Sequence, residues 1–153
     1  MTPVHVTFVC TGNICRSPMA EKIVAESLVA AGLDGRVRVT SAGTGDWHVG
    51  DPADPRAVAE LEAHGYPSAH RARTVDEEIL GADLVVALDR SHERELRRLG
   101  VTSDRLALLR SFDPDADSDS VADPYYGTEA DFGTVREQIE AALPGLLEDL
   151  SRR

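Results

Sequence analysis

Apolar and polar positions along this chain fall into strand-like and helix-like stretches that alternate from end to end. Val4-His5-Val6-Thr7-Phe8-Val9 alternates and is rich in β-branched residues, which predicts a buried strand over 4–9. Further strands are predicted at Val37-Arg38-Val39-Thr40, at 82–88 and at 106–109. Between them, residues 19–31 place Ala20, Ile23, Val24, Ser27, Leu28 and Ala31 on one helical stripe. Helices are also expected over 54–64, 76–81, 89–99 and 129–150. In the last, Phe132, Val135, Ile139, Leu143, Leu146 and Leu150 keep the core-facing period, and Pro144 is expected to kink it. Four strands alternating with helices, without linker or repeat, predict an α/β fold: one domain over residues 1–153, a parallel sheet covered on both faces, and a site at the carboxyl ends of its strands.

The first strand runs straight into Cys10, and the chain then turns. Cys10-Thr11-Gly12-Asn13-Ile14-Cys15-Arg16-Ser17 is a Cys-x5-Arg-Ser run between a strand and a helix. Gly12 and Asn13 tolerate the positive φ that an anion-binding nest needs, and Ser17-Pro18 reads as an N-cap followed by proline at the first helical position. The backbone amides of 12–16 and the positive end of the helix then face Cys10 and can hold a dianion. That field, with a guanidinium beside it, also favours the thiolate, so Cys10 is expected to be an ionised nucleophile. Arg16 offers a planar fork matched to two phosphate oxygens, and Ser17 can donate its hydroxyl to the sulfur. A small buried cysteine ending a strand would account for Cys10 alone, but not for the Gly-Asn turn, the arginine and the helix start that follow it.

A second feature, Asp123-Pro124-Tyr125-Tyr126-Gly127, lies between a strand candidate and the last helix. Displacing a phenolate from phosphorus needs a proton donor opposite the attacking sulfur, and Asp123 suits that role where a bound dianion favours its acid form. Tyr125 and Tyr126 can wall a slot deep enough for an aryl phosphate and too deep for phosphoserine. Read alone, the tyrosines fit a packed loop equally well.

Together, the run from Cys10 through Pro18-Met19-Ala20-Glu21 and the Asp123–Gly127 segment resemble the low-molecular-weight protein tyrosine phosphatases, most closely the bacterial members, over essentially the whole chain. The resemblance implies a three-layer α/β/α fold with a central four-stranded parallel sheet, of the phosphotyrosine protein phosphatase I type. It implies hydrolysis of protein phosphotyrosine through a cysteinyl-phosphate, with Cys10, Arg16 and Asp123 catalytic and Thr11 to Ser17 forming the phosphate-binding loop. Asn13 braces that loop by hydrogen bonds to Ser41 and His70, and Trp47, Asp89, Tyr125 and Tyr126 border the substrate cleft. Cys15 matches the family's second loop cysteine, a redox partner for Cys10. Phosphoarginine phosphatases resemble the chain too, but tend to carry threonine where Ile14 stands, and the apolar side chain favours an aryl ester. Arsenate reductases of the same fold need a further cysteine pair downstream, and none follows Cys15. A non-catalytic phosphate-binding module is disfavoured because both Cys10 and Asp123 are present.

Composition narrows the rest. At 153 residues and 42% hydrophobic, the chain can bury its own core. Residues 1–9 lack a basic start and a long apolar stretch, so neither a leader nor a membrane span is expected. Two cysteines in one phosphate loop argue for a reducing compartment, with the cytoplasm as default. A net charge of -11 has the wrong sign for nucleic acid, so attraction of a phosphorylated partner must be local. The expected partners are tyrosine-phosphorylated proteins, and the expected state is a monomer. Arg90, Arg94, Arg97 and Arg98 read as a solvated helix face. Asp113, Asp115, Asp117 and Asp119 mimic a calcium loop, but Ser118 and Pro124 occupy its glycine and glutamate positions, so no metal and no cofactor are expected. His5, His48, His64 and His92 read as ordinary polar residues.

Overall fold

A computed structural model describes residues 2–153. The strands β1 (Val4–Cys10), β2 (Val37–Gly43), β3 (Leu84–Ala87) and β4 (Leu106–Leu108) form one sheet in the order β2-β1-β3-β4, every pairing parallel. Helices α1 (Arg16–Ala30), α2 (Pro55–Ala63), α3 (Glu77–Leu80), α4 (Arg90–Arg98) and α5 (Glu129–Ser151) cover it on two sides. Alternation along the strands sorts their side chains between those sides. Val6, Phe8, Leu84 and Val86 pack with α1, α2 and α5. Val9, Val85 and Ala87 pack with Ile79 of α3 and Leu96 of α4. This is the expected three-layer α/β/α arrangement. Among the described residues, no helix is long and apolar enough to cross a membrane.

Differences from the sequence reading are local and have physical causes. Strand β2 continues three residues beyond the predicted end because Ser41, Ala42 and Gly43 pair with Phe8, Val9 and Cys10. Gly43 is required there, since a Cβ would lie 2.6 Å from the carbonyl oxygen of Thr11. Strand β3 is shorter than predicted, because Ala82 closes the turn after α3 by donating its N–H to Ile79. Helix α5 runs through Pro144 as a single element; that residue lies on its exposed side.

The start of α1 departs from expectation in a way that matters for the site. Ser17 is not the N-cap: the helix begins at Arg16, Cys15 occupies the cap position without a side-chain cap bond, and Pro18 is the third helical residue. Proline is tolerated there because first-turn N–H groups have no helical acceptor. Ser17 is thereby released from capping, and its hydroxyl turns toward Cys10.

Candidate active site

Cys10 ends β1 at the carboxyl edge of the sheet and is buried. Its Sγ lies 2.9 Å from Ser17 Oγ and accepts from the Ser17 N–H at 3.4 Å. Only Asn13 of the two expected turn residues takes a positive φ, at 57°. At Gly12 a Cβ would approach His48 Cδ2 to 3.0 Å, so the imidazole would have to shift to admit one. Asn13 is fully buried, and its amide donates to Ser17 Oγ at 2.8 Å and Ser41 Oγ at 3.0 Å while accepting from the Arg73 N–H at 2.9 Å. Because Ser17 Oγ accepts from Asn13, its own proton is free for the sulfur. Ser41 passes its proton on to Glu21 Oε1 at 2.5 Å. His70 reaches the loop through Asn13's backbone: its Nε2 donates to the Asn13 carbonyl at 2.7 Å. Burial lowers the pKa of His70, which the Asn13 hydrogen bond only partly offsets.

Arg16 is almost wholly buried at the first position of α1, and only one of its terminal nitrogens is committed. Nη1 donates to Asp89 Oδ2 at 2.8 Å and to the carbonyl of Val121 at 2.9 Å. Nη2 sits 3.6 Å from Asp123 Oδ2, too long for a hydrogen bond and with Asp123 45% exposed, so that pair is weak and readily exchanged for a ligand. Asp89, expected along the cleft, stands behind Arg16 instead. It is the N-cap of α4, accepting on Oδ1 from the N–H groups of Ser91 and His92, and its other oxygen orients the guanidinium. Burial works against its charge, but the hydrogen bonds from Ser91 and Arg16 win and hold its pKa down to about 2.

Three contributors escaped the sequence reading. His92 is buried against the loop, with Nε2 2.9 Å from Thr11 Oγ1 and Nδ1 3.2 Å from Asp89 Oδ1. Its spacing three residues after the cap residue Asp89 is the one signal that pointed inward. His48 packs over Gly12 and lines the cleft. Arg56 forks onto Asp54, with Nη2 to Oδ2 at 2.9 Å, and donates to the carbonyls of Tyr125 and Gly127 at 2.9 and 3.2 Å. Asp54 in turn donates its N–H to the Ile14 carbonyl at 2.8 Å, so the Asp54–Arg56 pair fastens the Asp123 loop to the phosphate loop. Asp123 itself accepts from the Tyr125 N–H at 3.1 Å.

A cavity of about 430 Å³ opens over Cys10. Thr11, Gly12, Ile14, Cys15 and Arg16 form its floor, Asp123 one side, and Trp47, His48, Tyr125 and Tyr126 its walls. Tyr125 and Tyr126 meet edge to face with ring centroids 4.9 Å apart, and Trp47 and Tyr126 are mostly exposed. Burial first, and then the Asp54 charge, push the Cys15 thiol up, so it stays protonated beside Cys10. Away from the cavity, Asp117 and Asp119 of the acidic segment pair with Arg110 and Arg90.

Acid should unfold the protein through this network. Burial pushes His92 from its ordinary 6.5 down to about 4, against the pull of Asp89. Between those values the unfolded chain binds a proton that the folded one refuses, so stability falls as pH drops from about 6.5 to about 4, by up to about 3 kcal/mol from this group. Asp89 adds a further loss below its ordinary 3.8, as pH approaches 2. Urea unfolding at stepped pH checks this; a flat profile over the His92 window would contradict the buried neutral imidazole.

A family model described as low molecular weight phosphotyrosine protein phosphatase matches residues 5–153. The chain belongs to that family. It is 60% identical over 153 residues to low molecular weight protein-tyrosine phosphatase A of Mycobacterium tuberculosis, covering 99% of this chain and 94% of that one. It is 50% identical over 150 residues to a low molecular weight protein-tyrosine-phosphatase of Streptomyces coelicolor, covering 94% and 91%. In three dimensions it superposes on a protein tyrosine phosphatase of Entamoeba histolytica with a TM-score of 0.92 at 29% identity, covering 97% of each chain. Family membership accounts for the joint presence of a Cys-x5-Arg-Ser loop and an Asp-Pro-Tyr-Tyr segment on opposite sides of one cavity.

Proposed function

We propose that this protein hydrolyses phosphotyrosine in proteins through a cysteinyl-phosphate, without metal or cofactor. The observation that carries this reading is the convergence on one cavity of a sulfur hydrogen-bonded at a helix start, an uncommitted half of a buried guanidinium, and a carboxyl on the facing loop. The Cys10 sulfur attacks phosphorus in line while the loop amides, Nε and Nη2 of Arg16 hold the equatorial oxygens. Asp123 gives its proton to the departing phenolate and then takes one from the water that hydrolyses the thiophosphate. Ser17 Oγ–H stabilises the sulfur as attacking thiolate and again as leaving group. Trp47, Tyr125 and Tyr126 flank the aromatic ring of the substrate. Turnover of a panel of phosphotyrosine, phosphoserine and phosphoarginine peptides tests the reading: phosphotyrosine should lead, and a preference for phosphoserine would overturn it. The protein works as a cytoplasmic monomer in this reading, a state that sedimentation can check.

Ile14 supplies the choice between aryl ester and phosphoguanidine. Its side chain is buried in the cavity floor, where a branched apolar group packs beside a ring and leaves a guanidinium without polar partners. Ile14→Thr is expected to raise the ratio of phosphoarginine to phosphotyrosine hydrolysis; an unchanged ratio in paired kcat/KM measurements would free Ile14 of that role.

Cys15 gives the same loop a protective chemistry. Peroxide oxidises the Cys10 thiolate to sulfenic acid, and Cys15 Sγ then attacks it, forming a disulfide and releasing water. Because Cys15 is held protonated, capture should accelerate as pH rises. Mild peroxide is therefore expected to inactivate the protein reversibly, with a Cys10–Cys15 disulfide in the mass spectrum. Cys15→Ala should remain active but recover poorly after thiol reduction, and full recovery would reduce Cys15 to a packing residue.

A further inference from the structure

We propose that His92 is a positioning residue for this reaction, clamping Thr11, the loop residue next to the nucleophile, to the carboxylate that orients Arg16. The role presupposes the phosphatase reading of the site.

The imidazole is 2% exposed, and the groups whose charge it feels are Asp89, Arg16 and Asp123. One ring nitrogen, Nε2, meets Thr11 Oγ1 at 2.9 Å. The other, Nδ1, lies 3.2 Å from Asp89 Oδ1 but out of line for a hydrogen bond, and has no other partner among the described residues. A neutral imidazole carries one N–H. Placed on Nε2, it leaves the Nδ1 lone pair facing a carboxylate. Placed on Nδ1, it points a positive dipole at that carboxylate and makes Nε2 the acceptor of the Thr11 hydroxyl proton. The second tautomer is the favourable one, and it fixes the Thr11 side chain as donor.

Thr11 is then held from two sides, since its carbonyl also accepts from the Gly45 N–H at 2.9 Å. Asp89 is held likewise: Oδ1 is occupied by Ser91 and by the His92 N–H and faces the ring, so Oδ2 is presented to Arg16 at 2.8 Å. One side chain on α4 thus ties together the start of the phosphate loop and the support of the guanidinium. These are the two sets of donors that must already be in place when charge develops on the phosphoryl oxygens. A buried polar ring with one imperfectly satisfied nitrogen fits a site constraint better than a folding one.

The test uses His92→Phe, Thr11→Val, the double variant and His92→Gln, with kcat/KM for p-nitrophenyl phosphate, inhibition by inorganic phosphate, and melting midpoint. His92→Phe and Thr11→Val are each expected to lose about 10- to 100-fold in kcat/KM and to weaken phosphate inhibition. The double variant should lose no more than the worse single within about twofold, because both break one link. His92→Gln, which can still accept from Thr11, should recover much of the loss. Unchanged turnover in either single variant, or losses that multiply in the double, would overturn the role. If His92→Phe does not fold, Thr11→Val decides alone: a 10-fold or larger loss at an unchanged melting midpoint supports the clamp, and a smaller one overturns it. A parent inactive on aryl phosphates removes the phosphatase reading and the clamp with it, whereas an active parent with indifferent variants removes the clamp only.

Discussion

Cys10→Ser is expected to abolish turnover of aryl phosphates while leaving phosphate or vanadate binding largely in place. Ser17 directs two hydrogen bonds at the Cys10 sulfur beneath the cavity, and a serine hydroxyl in that position is a far weaker nucleophile. Loss of the nucleophile should cost ~10⁴-fold or more in kcat. Binding should persist because the loop amides belong to the backbone and Arg16 is fixed by Asp89 and Val121, neither of which depends on the sulfur. Steady-state kinetics and vanadate titration on the same preparation separate the two. Turnover within about tenfold of the parent would remove Cys10 as nucleophile, since nucleophile deletions are far costlier.

Asp123→Ala carries the second large effect, and its signature is selectivity among leaving groups. General acid catalysis contributes ~10²–10⁴-fold where the leaving group is basic, and much less where it departs unaided. Phenyl phosphate should therefore suffer far more than p-nitrophenyl phosphate. The geometry supports a mobile proton donor rather than a structural ion pair: Asp123 is 45% exposed and 3.6 Å from Arg16, whereas Asp89 meets the same guanidinium at 2.8 Å and is only 23% exposed. Of two carboxylates facing one arginine, the tightly bonded one orients it and the loosely held one is left to face the cavity. Equal slowing of both esters would make Asp123 structural.

The contrast between those two carboxylates marks where the sequence stops speaking. Strand, turn and helix around Cys10 were legible because each rests on neighbours in the chain: alternation in 4–9, Asn13 for a positive φ, and an arginine one loop-length after the cysteine. The alternation of elements likewise fixed the parallel sheet and the edge at which the site lies, since a β-α-β order leaves few topologies. Asp123 and its tyrosines could be singled out because Asp-Pro-Tyr-Tyr-Gly is itself a local pattern. What the tertiary structure decided is which distant groups meet. Arg16 and Asp89 are 73 positions apart, Thr11 and His92 are 81 apart, and Arg56 reaches the Gly127 carbonyl across 71. No spacing rule links such pairs, and each residue has a commonplace local explanation: Asp89 as a helix cap, His92 as a polar residue of a charged helix, Arg56 as a first-turn helix residue beside its cap. Ser17 reads from the sequence both as a helix cap and as a donor to the sulfur, and the structure keeps only the second, because the helix begins at Arg16. Local patterns therefore determined the fold and singled out the candidate reacting groups, and packing of α4 and the α2 start against the loop determined how those groups are aimed, because aim depends on contacts that only a closed sheet brings within hydrogen-bond reach.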